Sequence, residues 1–242
     1  MKELLILFLA MISASLWAET NSFIQVEGAL VYQTRNDQRI PGVGGTQFDL
    51  SDFDQGPFEA LRLYVGKQFN ERHEIRALFA PFEANIKATL PGTVLFNGTT
   101  FSAGSADAFY KFNSYRLTYA YHFPSINSWT FALGGTAKIR QAEVRLSQGS
   151  SISSKKNIGF VPLLNAQAKN QLSPNWIFRI DLDGLAAPQG RAFDVAFLLD
   201  YKLQKSFSVL AGYRMVEGGA DKDKVYNFAW LHYATVGLRG DF

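Results

Sequence analysis

The 242-residue sequence has no cysteine. That absence excludes disulfides, thiolate metal sites, a cysteine nucleophile and a lipid anchor on cysteine. It also suits export to an oxidising compartment, where a stray thiol is a liability. Only three histidines are present, at positions 73, 122 and 232. Beyond the first residues no stretch approaches the ~18 uninterrupted apolar residues that a spanning helix needs, so any membrane crossing has to be built from strands. The formal charge is only +3. No basic run forms a stripe that would track phosphates, so nucleic acid is not an expected partner.

Aromatics, by contrast, are plentiful at 14%, with 21 Phe and 10 Tyr. Hydrophobic residues make up 47%, yet the mean hydropathy of −0.05 would pass for a soluble protein. The length suits one large or two small domains, and an all-β barrel of this size is normally one domain. The opening "MKELLILFLAMISASLWAET" has a basic Lys2, an apolar core from Leu4 to Ile12 and small residues before a cut after Ala18. This is the pattern of a secretory signal peptide, although Glu3 and Leu16 depart from it; the alternative is an uncleaved helical anchor. Residues 1–18 are therefore set apart from a single domain at 19–242.

In "AFDVAFLLDYKL" (192–203), Phe193, Val195, Phe197, Leu199, Tyr201 and Leu203 share one parity, while Asp194, Asp200 and Lys202 take the other. Period-2 alternation indicates a strand with opposed faces. Ten such segments are expected, at about 22–34, 59–69, 73–90, 110–123, 128–146, 157–172, 176–186, 191–203, 206–216 and 225–242. The links after even-numbered segments are short. Most after odd-numbered ones are long: 35–58, 91–109, 147–156 and 217–224, with 187–190 the exception. Short turns at one end and long loops at the other are a property of transmembrane barrels, so the apolar parity is expected to meet lipid. Aromatic girdles are then expected at Phe69, Tyr121, Phe123, Trp129, Trp176, Tyr201 and Phe207 on the short-turn side, and at Tyr32, Tyr110, Phe193, Tyr213 and Tyr226 on the other. The apolar parity slips between Phe79 and Phe82, where Pro81 predicts a bulge. A similar slip near Gln141–Ala142 predicts a second bulge or a strand leaving the bilayer.

The last segment, "FAWLHYATVGLRGDF", keeps Phe228, Trp230, Ala234, Val236, Leu238 and Phe242 on one parity. It resembles the C-terminal signature of bacterial outer-membrane β-barrel proteins, which typically close on a terminal aromatic. The resemblance implies an all-β, single transmembrane antiparallel barrel of about ten strands, or eight or twelve if segments are split or merged differently. It also implies location in the bacterial cell outer membrane, with Phe242 as part of the membrane-insertion signal. Outer-membrane lipid and the barrel-assembly machinery are the implied partners, and no cofactor is implied.

With the lipid parity assigned, the other lines the lumen. Hairpin closure sets Asp183 beside Asp194 and brings Arg214 within about one residue pair of Asp194. Asp181, Asp183, Asp194 and Arg214 thus form a candidate charge cluster, in which a guanidinium relieves two carboxylates. An acid–base use of the carboxylate pair is the less favoured reading. Arg62, Arg76, Arg116, Lys138, Arg140, Lys169 and Arg179 form a basic arc, and with Asp200 they are candidate pore-lining residues. The histidines fall at the short-turn end (His73, His122) or on the lipid parity (His232), away from the rim where outer-membrane enzymes place theirs. In the first long loop Asp49, Asp52, Asp54 and Glu59 read as a solvated acidic loop rather than a cation site, and no metal site is expected. The second, nearly uncharged, exposes Val94, Leu95, Phe96 and Phe101 as a contact surface or folds inward over the mouth. A non-catalytic barrel that is structural or presents loops is the expected function. A narrow pore for small polar solutes is the alternative, and an enzyme the third reading.

Overall fold

The computed structural model describes residues 22–242; the expected signal peptide lies outside the described residues. In chain order the strands are β1 (Ser22–Arg39), β2 (Phe48–Asp49), β3 (Phe58–Phe69), β4 (His73–Ala80), β5 (Glu83–Leu90), β6 (Val94–Phe96), β7 (Thr99–Phe101), β8 (Gly104–His122), β9 (Trp129–Gln148), β10 (Ser151–Gln171), β11 (Trp176–Ala187), β12 (Gly190–Gln204), β13 (Phe207–Lys222) and β14 (Val225–Asp241). A 3-10 turn at Leu50–Asp52 follows β2. β4 and β5 together make one stave, and β2, β6 and β7 belong to the outer loops. The remaining strands complete a ten-stave antiparallel barrel. β14 closes it against β1, from Phe23↔Asp241 to Arg39↔Tyr226. Ser22 and Phe242 exchange backbone hydrogen bonds in both directions, at 2.8 and 2.9 Å, so the terminal aromatic sits in the closing seam. No helix among the described residues is long and apolar enough to cross a membrane.

Neither the slip expected to be a bulge at Pro81 nor the one near Gln141, expected as a bulge or a strand leaving the bilayer, is a bulge. From His73↔Tyr121 through Ala80↔Ser114 to Glu83↔Lys111 and Leu90↔Gly104, the stave keeps one register against β8. Even-numbered residues stay inside throughout, but the chemistry of the two faces exchanges at Pro81. Below it Glu74 and Arg76 point in while Ile75, Ala77 and Phe79 point out. Above it Ala84, Ile86, Ala88 and Leu90 point in and Glu83, Asn85, Lys87 and Thr89 point out. β9 likewise runs unbroken past Gln141 in both its ladders, with Val144 and Leu146 inside and Glu143, Arg145 and Ser147 outside. The apolar parity switches because the outside solvent switches from lipid to water. For β9, the unbroken ladders and the exchanged faces agree with the alternative of a strand leaving the bilayer.

The same exchange hid strand length. The segments expected as loops 147–156 and 217–224 are the upper ends of hairpins that turn at 149–150 and 223–224. Only 40–57 and 91–103 remain as long loops. Tyr110, expected in the outer aromatic ring, is buried inside the barrel, since it lies above the exchange where the inner face is apolar. Phe69, Phe123 and Trp176 at the short-turn end, and Tyr32, Tyr213 and Trp230 higher up, are exposed on the outer face as girdle residues.

Both long loops fold inward. Phe48 and Leu50 from the first, and Val94, Phe96 and Phe101 from the second, are buried against Ile86, Leu90, Tyr110, Leu146 and Leu231. A backbone bond from Asn97 N to Ile40 O (2.7 Å) and one from Thr46 N to Leu95 O (2.9 Å) join the loops. Of the two readings left open for the uncharged loop, it folds over the mouth, with Leu95 alone of its four apolar residues exposed.

Candidate functional site

Below the apolar plug the lumen is crossed by ion pairs. Cross-strand register places Asp183 directly opposite Asp194. Around Asp194 gather three guanidinium groups: Arg116 Nη2 and Arg62 Nη2 on Oδ2 at 2.7 and 3.0 Å, and Arg214 Nη1 on Oδ1 at 2.7 Å. Arg214 reaches on to Glu27 at 3.2 Å, and Arg62 approaches the same carboxylate at 3.7 Å. Asp194, Glu27, Arg62, Arg116 and Arg214 are all buried. A charge at such a place is tolerated only when paired and hydrogen-bonded, and a carboxylate shared by three arginines satisfies that from several staves at once.

The bridge between the carboxylate pair is Arg116, whose Nη1 lies 2.7 Å from Asp183 Oδ2, rather than Arg214. Hairpin register points to Arg214 for that role, since Arg214 stands opposite Ala196, two residues from Asp194. Arg116 arrives from β8, across the lumen, and only the closed barrel brings it there. Asp183 also accepts from Thr136 Oγ1 at 2.7 Å and Asn165 Nδ2 at 2.9 Å. Thr136 and Asn165, like Tyr64, whose hydroxyl accepts from Arg62 Nε at 3.0 Å, are not legible in the sequence, because uncharged polar residues on a lumen parity give no signal of their own. Asp181, expected in the same cluster, takes its ion pair from Arg76 at 2.7 Å and joins Asp183 through Asn165 Nδ2, which donates to both. Arg179 pairs with Asp200 at 2.5 Å.

The expected basic arc does not line one side of an open passage. Arg62, Arg76, Arg116 and Arg179 are interdigitated with the acids of β11 and β12. Lys138, Arg140 and Lys169 point inward as expected, and among the described residues none of the three has a carboxylate within 4 Å. Lys138 lies 4.8 Å from the ring centre of Phe112. Two small cavities lie beside these ion pairs. One is bounded by Tyr64, Arg76, Thr118 and Asp183, the other by Arg62, Phe82, Phe112 and Tyr233, and each is about 10 Å³. That is room for about one water molecule.

The three histidines lie outside this network's centre. His122 Nε2 is 3.2 Å from Glu74 near the short-turn end. His73 Nδ1 bonds the Tyr119 hydroxyl at 2.9 Å. His232 is on the outer face, between Tyr213 Oη (2.6 Å) and Thr34 Oγ1 (2.9 Å). In the first loop Asp49 accepts from the backbone of Asn36 and Ser51, and Asp54 accepts from Gly56 N. These carboxylates order the loop's own turns. No group of three or more His, Asp or Glu placed to hold a metal ion occurs among the described residues.

No family model matches this chain, and no curated protein matches it. Among solved structures it is similar to the outer membrane protease OmpT of Escherichia coli, at 10% identity and TM-score 0.54, over 92% of this chain and 97% of that one. It also aligns with Neisserial surface protein A, at 15% identity and TM-score 0.40, over 92% and 98% of the two chains. For Ail of Yersinia pestis the values are 13% and 0.42, over 90% and 99%. The fold is thus that of a bacterial outer-membrane β-barrel. The exposed apolar belt, with Leu61, Val65, Leu117, Leu133, Phe197 and Val236 on its outer face, is the surface such a barrel turns to lipid.

Proposed function

We propose that this chain is a non-catalytic outer-membrane barrel whose sealed lumen serves as a rigid mount for the loop assembly 40–57 and 91–103. The carrying observation is that ion pairs cross the lower lumen and an apolar plug fills the upper, and that the two cavities beside the ion pairs are each about 10 Å³. The solved structures it resembles include a protease and a porin, so the fold itself does not choose a function. Against catalysis stand the positions of the histidines, two near the short-turn end and one on the outer face. The pore reading draws its support from Lys138, Arg140 and Lys169, inward cations without carboxylates. The test is conductance of the purified protein in planar bilayers. A silent bilayer is expected. Current steps whose ion selectivity changes in Arg140→Glu and Asp181→Lys would replace this reading with the narrow pore.

A further inference from the structure

We propose that the place where β10 parts from β11 is a lateral binding port for a single-chain anionic amphiphile of the surrounding leaflet, with Arg140 holding its head group. β10 and β11 pair from Gln171↔Ile177 up to Leu164↔Gly184 and no further. Above that level β11 turns back through 188–189, while β10 continues to Ser151 with β9 as its strand partner and Asn97 of the second loop donating to Ser154 O at 3.1 Å. Pro162 lies in the unpaired stretch. The β9 ladder passes through Pro162↔Ala137 without a register shift, so the N–H that proline lacks is missing from the β11 side. The result is a free strand edge in the barrel wall, a feature that natural barrels otherwise abolish.

This edge opens at lipid height. Ile158, Phe160 and Leu164 point outward beside it and are 71%, 65% and 65% exposed; on the β11 side Leu185, on the inward parity of Asp183, is also exposed. Behind the edge is a cation. Arg140 pairs across β9–β10 with Gly159, and its Nη2 is 3.4 Å from where a Cβ on Gly159 would stand. The guanidinium therefore lies over the one inward position of that stretch that has no side chain to cover it. Its hydrogen-bond partner is a neutral amide, Asn157 Oδ1, at 2.5 Å, and its Nε is buried without a partner. The next inward residue below, Lys138, is buried and also lacks a carboxylate among the described residues. The arginines of the ion-pair network, in contrast, all have carboxylates.

An uncompensated cation at the edge of hydrocarbon favours an anion, and a guanidinium suits the two oxygens of a carboxylate or phosphate. The exposed apolar banks supply contact for a chain attached to that head. A small free anion would gain the first contact and not the second.

The test is binding of a long-chain fatty carboxylate bearing a photoreactive group on its chain, to the full-length protein in nonionic detergent. The matching long-chain alcohol and acetate serve as competitors. Saturable binding is expected, with cross-links in β10 peptides around Phe160 and Leu164. The alcohol should compete at least tenfold more weakly than the carboxylate, and acetate not at all. Arg140→Gln and Gly159→Val should each weaken binding at least tenfold, and Arg140→Lys should keep most of it. Heat-modifiable migration checks that each variant is folded, and Gly159→Ala replaces the valine variant if that one is not. Equal binding by wild type and Arg140→Gln, equal competition by alcohol or acetate, cross-links elsewhere on the barrel, or no saturable binding would each overturn the proposal.

Discussion

The lower and upper halves of this barrel solve the same packing problem with opposite chemistry. In the lower half the outside is hydrocarbon, and the inside is held by Asp194, Glu27 and their arginines. In the upper half the outside is water, and the inside is held by Ile86, Leu90, Phe96, Phe101 and Leu146. One strand, β8, shows both: Arg116 and Thr118 point in opposite Leu117 and Tyr119, whereas Ala106 and Ala108 point in opposite Ser105 and Asp107. Alternation alone therefore fixes a face and not its chemistry. What lies outside the wall decides which chemistry the inside adopts.

The largest expected effect breaks the lower half at its hub. Asp194→Ala leaves three buried guanidinium groups without their common carboxylate. Removing one partner of a buried pair costs about 3–5 kcal/mol. The expected outcome is a loss of that order in unfolding free energy, measured by urea titration of the protein folded into lipid vesicles. A change under about 1 kcal/mol would mean that water reaches and solvates the arginines, and the lower half would be wet rather than packed.

The matching experiment above the exchange is Ile86→Ala. A fully buried isoleucine truncated to alanine costs about 2–5 kcal/mol, depending on how far the site collapses. Here the loss should be local: limited proteolysis should cut within 40–57 or 91–103, because these loops are seated on the same cluster. The two variants thus separate a barrel-wide element from a plug. If Ile86→Ala unfolds the whole barrel as steeply as Asp194→Ala, the halves are one cooperative unit.

A third experiment locates the exchange from the outside. Leu117→Arg puts a charge on the lipid face, where such substitutions cost about 2–4 kcal/mol at mid-depth and about 0–1 near the interface. Asp107→Leu, ten residues up the same strand and on the same face, should leave stability within about 0.5 kcal/mol. Equal effects at the two positions would place both in one solvent.

These halves also differ in how far the sequence discloses them. Where lipid lies outside, the alternation of Phe193 to Leu203 is plain, and the short link at 204–205 predicts the neighbourhood of Asp194 and Arg214. Where water lies outside, Glu83, Lys87, Glu143 and Arg145 take the face that carries apolar side chains lower down, and that change of parity reads as a bulge. Strand bounds were accordingly short at β8, β10 and β13. The partners of Asp194 divide the same way. Arg214 is a hairpin neighbour, hence legible; Arg62 and Arg116 meet it across the lumen, and that meeting depends on the width and stagger of the closed barrel. Nothing in the sequence around Arg62 marks Asp194 as its partner.

The smallest expected effect holds the interaction constant and changes only its surroundings. Lys87 Nζ lies 2.5 Å from Asp107 Oδ1, as short as any ion pair in the lumen, but the two side chains are 90% and 60% exposed. They sit on the outer face of β5 and β8 above the exchange, as cross-strand partners. In water each charge is already solvated, and holding a long lysine in one geometry consumes part of the attraction. Exposed pairs of this kind contribute about 0.2–1 kcal/mol. Lys87→Ala should therefore shift the unfolding free energy by about 0.5 kcal/mol or less, and the shift should vanish in roughly 1 M salt, where the screening length falls to about 3 Å. The Asp194→Ala loss should survive the same salt, because its ions are out of reach of mobile counterions. A salt-resistant loss in Lys87→Ala would show that this outer face is covered in the membrane, by lipid head groups or by another protein.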